Sequence, residues 1–259
     1  MLVCKNFILL YRSKFFLPFL LLALLSFFLA HTISLWGVNE LKKILYDLGG
    51  VFLLLIGHTG AMFWSVKLFS EARSEGACEL ELASPISRTN WYLSLYGGVI
   101  ASLSLFGILL LLFWQALMLI YGYSWMKPSE WVLFLFPVLG WSVTAALALF
   151  FACFCSWGLA LFSTFLTCLL GLLAAPTYQA ISGLSTGPSE STGGLSEGFS
   201  LTLLSFFAKF WNLQNFHLAY TELTRLDVTA IAYTLIYAFG LIVFFLSLGI
   251  LIFDRQDLT

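Results

Sequence analysis

Long apolar runs make up most of this sequence, and short polar stretches separate them. A helix needs about 20 mainly apolar residues to cross the roughly 30 Å hydrocarbon core of a bilayer, and six runs approach or exceed that length. These runs are residues 15–36, 48–66, 91–121, 131–153, 159–178 and 228–253. Cys155, Ser156 and Gly158 mark a tight hairpin between the fourth and fifth runs. The pattern predicts an all-α integral membrane protein with six transmembrane helices in one domain, residues 1–259.

Residues 199–220 are long enough to cross a bilayer, but their second half is polar. A lysine near the centre of a membrane helix costs about 2.5–3.5 kcal/mol on insertion scales. The polar side chains here are Lys209, Asn212, Gln214, Asn215 and His217. We therefore expect an amphipathic element before the sixth helix, either re-entrant or lying on the surface. Together with the Gly- and Ser-rich stretch before it, this element forms an outer loop over residues 179–227.

The positions of lysine and arginine orient the predicted helices, because cytoplasmic loops of membrane proteins carry an excess of both. With the N-terminus inside, the cytoplasmic set is Lys5, Arg12, Lys14, Lys67, Arg73, Arg88 and Arg255. The smaller outside set is Lys42, Lys43, Lys127, Lys209 and Arg225. Both termini are thus expected in the cytoplasm. An aromatic belt is expected at the inner membrane boundary, formed by Trp64, Trp91 and Trp157.

Composition supports the membrane assignment. The chain is 61% hydrophobic and only 10% charged, whereas about a quarter of the residues of a soluble domain are charged. Its formal net charge is −1. Nucleic-acid binding depends on neutralising phosphates with basic side chains, so no nucleic-acid partner is expected.

One connector, EARSEGACELELASPISR at residues 71–88, concentrates the charge of the chain. It holds four of the 13 acidic residues and two of the 12 basic residues. Residues at intervals of four share one helix face, namely Lys67, Glu71, Glu75 and Glu79. Pro85 ends that helix, because the residue before a proline is pushed out of the helical region, and Ser87 can cap the next helix. We expect a cytoplasmic element over residues 67–90 that is either a docking surface or an ordinary solvated loop.

The order of residues in this connector resembles the intracellular signature of ABC-2 type transporter permeases. In that family a short coupling helix carries acidic residues, a glycine and a glutamate, and a turn with a proline and an arginine follows. The matching positions are Glu71, Glu75, Gly76, Glu79, Leu82, Pro85, Ile86, Ser87 and Arg88. The basic N-terminus, the six predicted spans and the long outer loop are also similar to the family. Glu81 departs from the family pattern, since an apolar residue is commoner there.

The resemblance implies a permease subunit, not itself an enzyme, that moves or extrudes a substrate across the inner or cytoplasmic membrane. Two such permeases would pair with two copies of a separate ABC ATP-binding subunit. ATP and Mg²⁺ would bind to that subunit, so no cofactor is expected in this chain. Coupling to the ATP-binding subunit is implied for Glu71, Glu75, Gly76, Glu79, Leu82, Pro85 and Arg88. The outer loop is a candidate contact for a periplasmic or extracytoplasmic partner.

Two other function classes are open to such a chain, an intramembrane enzyme and a membrane scaffold that transports nothing. Neither a Walker A loop nor an H-E-x-x-H zinc helix occurs in the sequence. His58 and Gln115 form a candidate intramembrane polar site, because an ionisable residue at membrane depth is a functional hypothesis by default. The neighbouring Gly57, Thr59 and Gly60 equally favour a close helix contact in which the imidazole is hydrogen-bonded to a neighbour.

Overall fold

The computed structural model describes residues 2–12, 16–34, 41–74, 81, 83, 86–120, 128–184 and 228–256. These residues form seven helices, which are α1 (Leu2–Tyr11), α2 (Phe16–Ser34), α3 (Leu41–Ser74), α4 (Arg88–Ile120), α5 (Pro128–Phe154), α6 (Trp157–Leu184) and α7 (Val228–Asp254). No strand occurs in the part of the chain that the structure describes. The all-α fold expected from the sequence is confirmed.

Among the described residues, three helices contain segments long and apolar enough to cross a membrane. The segments are Arg88–Ile120 in α4, Pro137–Phe154 in α5 and Leu235–Asp254 in α7. The arrangement of six transmembrane helices requires three more spans than these and stays a prediction. The amphipathic element at residues 199–220 lies outside the described residues, as does most of the outer loop.

Helices α2 to α7 correspond to the six predicted runs, with some differences at their ends. α5 ends at Phe154 and α6 begins at Trp157, so the hairpin falls where the sequence predicted it, although Gly158 belongs to α6. α3 is longer than the predicted run at both ends, since it begins at Leu41 and continues without a break to Ser74. The first residues of the expected polar helix are therefore the end of α3. Charged residues such as lysine, glutamate and arginine are good helix formers, so charge alone does not end a helix.

α5 lies at the centre of the bundle. In its segment Pro137–Phe154, 72% of the residues are buried, against 22% of the most apolar 18 residues within Leu235–Asp254. α5 packs against α3, α4, α6 and α7. Alanines lie buried along it at positions 145, 146, 148 and 152. Small residues of this kind let helix backbones approach closely, which is the usual way that membrane helices pack.

Trp141 of α5 fills the space between α3 and α4. Its side chain is fully buried. A Cβ atom added to Gly57 of α3 would overlap the indole ring, and one added to Gly107 of α4 would lie 3.3 Å from it. The two glycines therefore leave the room that one large side chain occupies.

α1 is a short helix that the sequence analysis did not predict, and it packs along α4. The Nδ2 atom of Asn6 donates a buried hydrogen bond to Ser94 Oγ at 3.2 Å. A Cβ on Gly98 would overlap Asn6, and one on Gly97 would lie 3.1 Å from Val3. The glycine pair thus allows α1 to lie against the backbone of α4.

Trp64 and Trp91 do not form the expected aromatic belt, since both side chains are buried in the core. Trp64 packs edge-on against Phe19 and Phe106, with ring centroids 5.8 and 5.7 Å apart. Trp157 is 47% exposed, as a belt residue should be. The prediction was wrong for the first two because the hydropathy pattern places a residue along a helix axis but does not say which neighbour that residue faces.

Candidate functional site

The segments predicted to be cytoplasmic meet at one end of the bundle. Lys5 of α1 pairs with Glu81 of the connector. Arg88 at the start of α4 bonds to the end of α7. Gln256 Nε2, just after α7, donates to the carbonyl oxygen of Cys153 near the α5–α6 turn at 2.6 Å. We treat this end, which contains the connector, as the candidate functional site.

Glu81 joins α1 to α4. Its Oε1 atom forms an ion pair with Lys5 Nζ, and its Oε2 atom accepts a hydrogen bond from Trp91 Nε1 at 2.7 Å. The Glu81 side chain is only 18% exposed, and a partly buried pair is screened by salt less than an exposed one. In the sequence, Glu81 stood out only as a charge where the resembling family prefers an apolar residue. This departure from the family pattern is the one feature of the sequence that could have indicated the contact.

Arg88 closes the C-terminal end of α7. Its Nη1 atom donates to the carbonyl oxygens of Asp254 and Gln256, at 3.0 Å each. The last carbonyl groups of a helix have no partner within the helix, and a cation at that end also interacts favourably with the helix dipole. Arg88 was predicted to couple to an ATP-binding subunit, and the structure places its guanidinium on α7.

Ser87 caps α4. The backbone N–H of Asn90 donates to Ser87 Oγ at 3.2 Å, and the N–H of Trp91 donates to the Ser87 carbonyl oxygen at 3.0 Å. A serine hydroxyl accepting from the third residue of a helix is the usual N-cap arrangement. The predicted cap is confirmed, and it sets where the connector ends and α4 begins.

Four buried aromatic rings from three helices pack next to these polar contacts. They are Phe69 of α3, Trp91 and Tyr92 of α4, and Phe253 of α7. Trp91 and Phe253 stack with ring centroids 5.2 Å apart and planes 15° apart, and Phe69 lies edge-on to Phe253 at 6.0 Å. Aromatic pairs of this kind contribute about 0.5–1.5 kcal/mol beyond the area they bury. The ends of α3, α4 and α7 are thereby held together.

Glu71 presents its charge at the surface. Its side chain is 53% exposed and lies 3.5 Å from Lys67 Nζ, one turn earlier on α3. The Lys67 side chain is only 12% exposed, so Glu71 is the outward-facing member of this pair. The other predicted coupling residues, Glu75, Gly76, Glu79, Leu82 and Pro85, lie outside the described residues, and their role stays a prediction.

His58 is buried between α3 and α5. Its Nδ1 atom is 2.8 Å from Thr144 Oγ1, and Thr144 donates its own hydroxyl hydrogen to the Gly140 carbonyl oxygen at 3.1 Å. With the Thr144 hydroxyl hydrogen directed at Gly140, its oxygen is left to accept, so we assign the His58 proton to Nδ1. A hydrogen bond between two packed helices supports the close-contact interpretation of His58.

Gln115 is buried on α4. Within the described ranges, no group of three or more His, Cys, Asp or Glu side chains could hold a metal ion.

The closely spaced Cys153 and Cys155 lie in different settings. The Cys153 thiol is buried and donates to the Leu149 carbonyl oxygen at 3.3 Å, while Cys155 lies in the α5–α6 turn.

Comparison with known proteins gave no match to a protein-family model, to a curated protein or to a solved structure. The residues of this chain therefore carry any inference about its function. They define a helical protein with membrane-length helices and a charged connector that is bonded into the bundle at Glu81 and Arg88.

Proposed function

We propose that this chain is the transmembrane permease subunit of an ABC-2 type ABC transporter, in the inner or cytoplasmic membrane. It would move or extrude a substrate using ATP that a separate ABC ATP-binding subunit hydrolyses. The proposal is supported by the membrane-length helices and by the coupling-helix signature over residues 71–88. One structural observation carries it furthest, namely how the connector is attached to the rest of the chain.

The connector is bonded to three helices besides α3, from which it continues. Glu81 contacts α1 through Lys5 and α4 through Trp91, and Arg88 contacts the end of α7. A solvated loop needs no such contacts, because its charges can remain in water. A connector that transmits movement needs them, since a displacement at its exposed part must reach the helices.

In the proposed mechanism, two ATP-binding subunits close on ATP and carry the connectors of two permease copies with them. The acidic face with Glu71, Glu75 and Glu79 would meet basic groups of that subunit, where such charges fix orientation and register more than they add affinity. The movement would pass to α1 through Glu81 and to α7 through Arg88. The helices would then rearrange around a path between the two permeases.

The proposal includes six spans with both termini in the cytoplasm. The contacts among α1, the connector, the α5–α6 turn and the end of α7 support it, because an even number of spans places all four on one side. Cysteine substitutions test the arrangement. Ser191→Cys in the outer loop should react with an impermeant thiol reagent from outside, and Ser74→Cys only after the membrane is opened. Reaction of both from the same side would contradict six spans.

Co-purification tests the assembly. The tagged chain, extracted from its native membrane in mild detergent, should retain an ATP-binding subunit in equal amount, with two copies of each. After reconstitution into liposomes the complex should hydrolyse ATP. Recovery of the chain without any nucleotide-binding protein, under conditions that leave the chain folded, would contradict the proposal and favour a membrane scaffold.

A further inference from the structure

An open pocket of about 440 Å³ lies between the end of α3, the α5–α6 turn and Gln256. Its described lining contains a single charged side chain, Arg73, and no carboxylate. Ser70 and Ser156 add hydroxyl groups, whereas the Ser74 hydroxyl donates to the Glu71 carbonyl oxygen at 3.2 Å. A pocket with one cation and several hydrogen-bonding groups suits an anion.

A second pocket at the same end, of about 220 Å³, shows what sets the first one apart. Its lining carries two lysines and two glutamates, Lys5, Lys67, Glu71 and Glu81. These charges pair with one another, Lys5 with Glu81 and Lys67 with Glu71, so they offer no net charge to a ligand. Arg73, by contrast, is exposed and forms no ion pair with a described residue.

The start of α6 adds donors to the pocket beside Arg73. The N–H of Ala160 donates to the Ser156 carbonyl oxygen at 2.8 Å, which makes Ser156 the N-cap, and the N–H groups of the residues that follow it have no partner within the helix. A Cβ on Gly158 would meet nothing within 4 Å, so this helix start is open. Such donors bind phosphate, and the guanidinium of Arg73 matches phosphate as a planar fork.

Apolar surface continues from the pocket along α6. Phe154 and Trp157 line the pocket and are 50% and 47% exposed. Further along α6 the exposed apolar side chains are Leu159, Phe162, Phe165, Leu166, Leu170 and Leu173. In a membrane, this surface contacts acyl chains. A ligand with an anionic phosphate head and apolar chains matches both parts, whereas inorganic phosphate matches only the first.

We propose that this pocket binds the phosphate of an anionic phospholipid, with Arg73 as its cation and the acyl chains along α6. The inference rests on the membrane placement of α6 proposed above, but it does not depend on coupling to an ATP-binding subunit. A lipid-binding test on the full chain can therefore fail or succeed independently of the co-purification test.

The test measures binding of phosphatidylglycerol to the purified full chain in detergent by native mass spectrometry. Arg73→Gln should weaken binding about tenfold, since a hydrogen-bonded charge contributes at least that factor. Arg12→Gln removes the same charge from an exposed position at the end of α1, outside the pocket, and should leave binding unchanged. Arg73→Lys keeps the charge and should fall between wild type and Arg73→Gln, which guards against a folding effect.

Three results would overturn the proposal. The first is wild-type binding by Arg73→Gln. The second is an equal loss in Arg12→Gln, which would mean that lipid responds only to overall charge. The third is displacement of phosphatidylglycerol by inorganic phosphate at a similar concentration, which would show that the apolar part of the ligand contributes nothing.

Discussion

The polar side chains in two regions of this protein form their hydrogen bonds in different ways. In the middle of the bundle, hydroxyl groups mostly donate to a carbonyl oxygen one turn earlier on their own helix, as Ser102, Ser142 and Thr144 do. At the end that contains the connector, polar side chains bond across segments, as with Lys5 and Glu81 or Arg88 and the end of α7.

The difference indicates what each region does. A side chain bonded within its own helix does not hold two helices together. The middle of the bundle therefore depends on close contacts between complementary surfaces, such as Gly57 against Trp141. Side chains bonded across segments hold elements together that are far apart in sequence. Contacts of shape therefore dominate in the first region, and bonds between distant segments dominate in the second.

The largest effect is expected where the middle of the bundle is overpacked. Gly57→Ala places a methyl group where the buried Trp141 ring lies, and overpacking of this severity should cost about 3 kcal/mol of the free energy of unfolding. Thermal unfolding in detergent measures it. The matched control is Gly240→Ala on α7, where a Cβ meets nothing within 4 Å. Equal stability of the two variants would contradict the packing described for Trp141.

A smaller effect is expected from Arg88→Gln, which removes the charged donor from the end of α7. Hydrogen bonds to charged groups contribute about 1.5–3 kcal/mol, so we expect a loss near 2 kcal/mol and earlier hydrogen exchange at the end of α7. Arg255→Gln is the control, because Arg255 is exposed at the same helix end. If both variants exchange alike, Arg88 does not close α7.

The smallest of these effects is expected from Thr144→Val, which keeps the shape of the side chain but removes the acceptor of the His58 Nδ1–H. Side-chain hydrogen bonds between membrane helices are modest, so the loss should be about 1 kcal/mol. Thr167→Val on α6 is the control, because Thr167 donates only to Ser163 of its own helix. A loss of the same size in both variants would show that His58 gains nothing from Thr144.

The sequence predicts features that depend on neighbours along the chain. Apolar run length located helices α2 to α7, and a serine before an apolar run correctly predicted the cap at Ser87. Features that depend on distant residues were missed. α1 is held by Asn6, Lys5 and the Gly97–Gly98 pair. None of these contacts leaves a periodic pattern, and the sequence gives no rule for which helix Trp64 faces.

The same distinction applies to the candidate site. The charge density of residues 71–88 marks the connector in the sequence. The sequence does not separate the charges that face outward, such as Glu71, from those that bond inward, such as Glu81 and Arg88. Which of these charges bond inward depends on where the ends of α1 and α7 lie in the folded protein.

The central claim is that the acidic face of the connector couples the chain to an ATP-binding subunit. Reversing Glu75 and Glu79 together to lysine tests it most directly, because the two are four residues apart on one predicted helix face. Solvated charges contribute about 0–1 kcal/mol each to stability, whereas like charges facing a partner cost several kcal/mol. The control is Glu190→Lys with Glu197→Lys in the outer loop, which changes the net charge equally.

The measurement compares membrane yield, pull-down of the ATP-binding subunit and ATP turnover for both double variants and wild type. The account predicts normal yield for both, with pull-down and ATP turnover lost only in the Glu75→Lys, Glu79→Lys variant. Normal yield with pull-down and turnover both intact in that variant would contradict the account and leave the connector as a solvated loop.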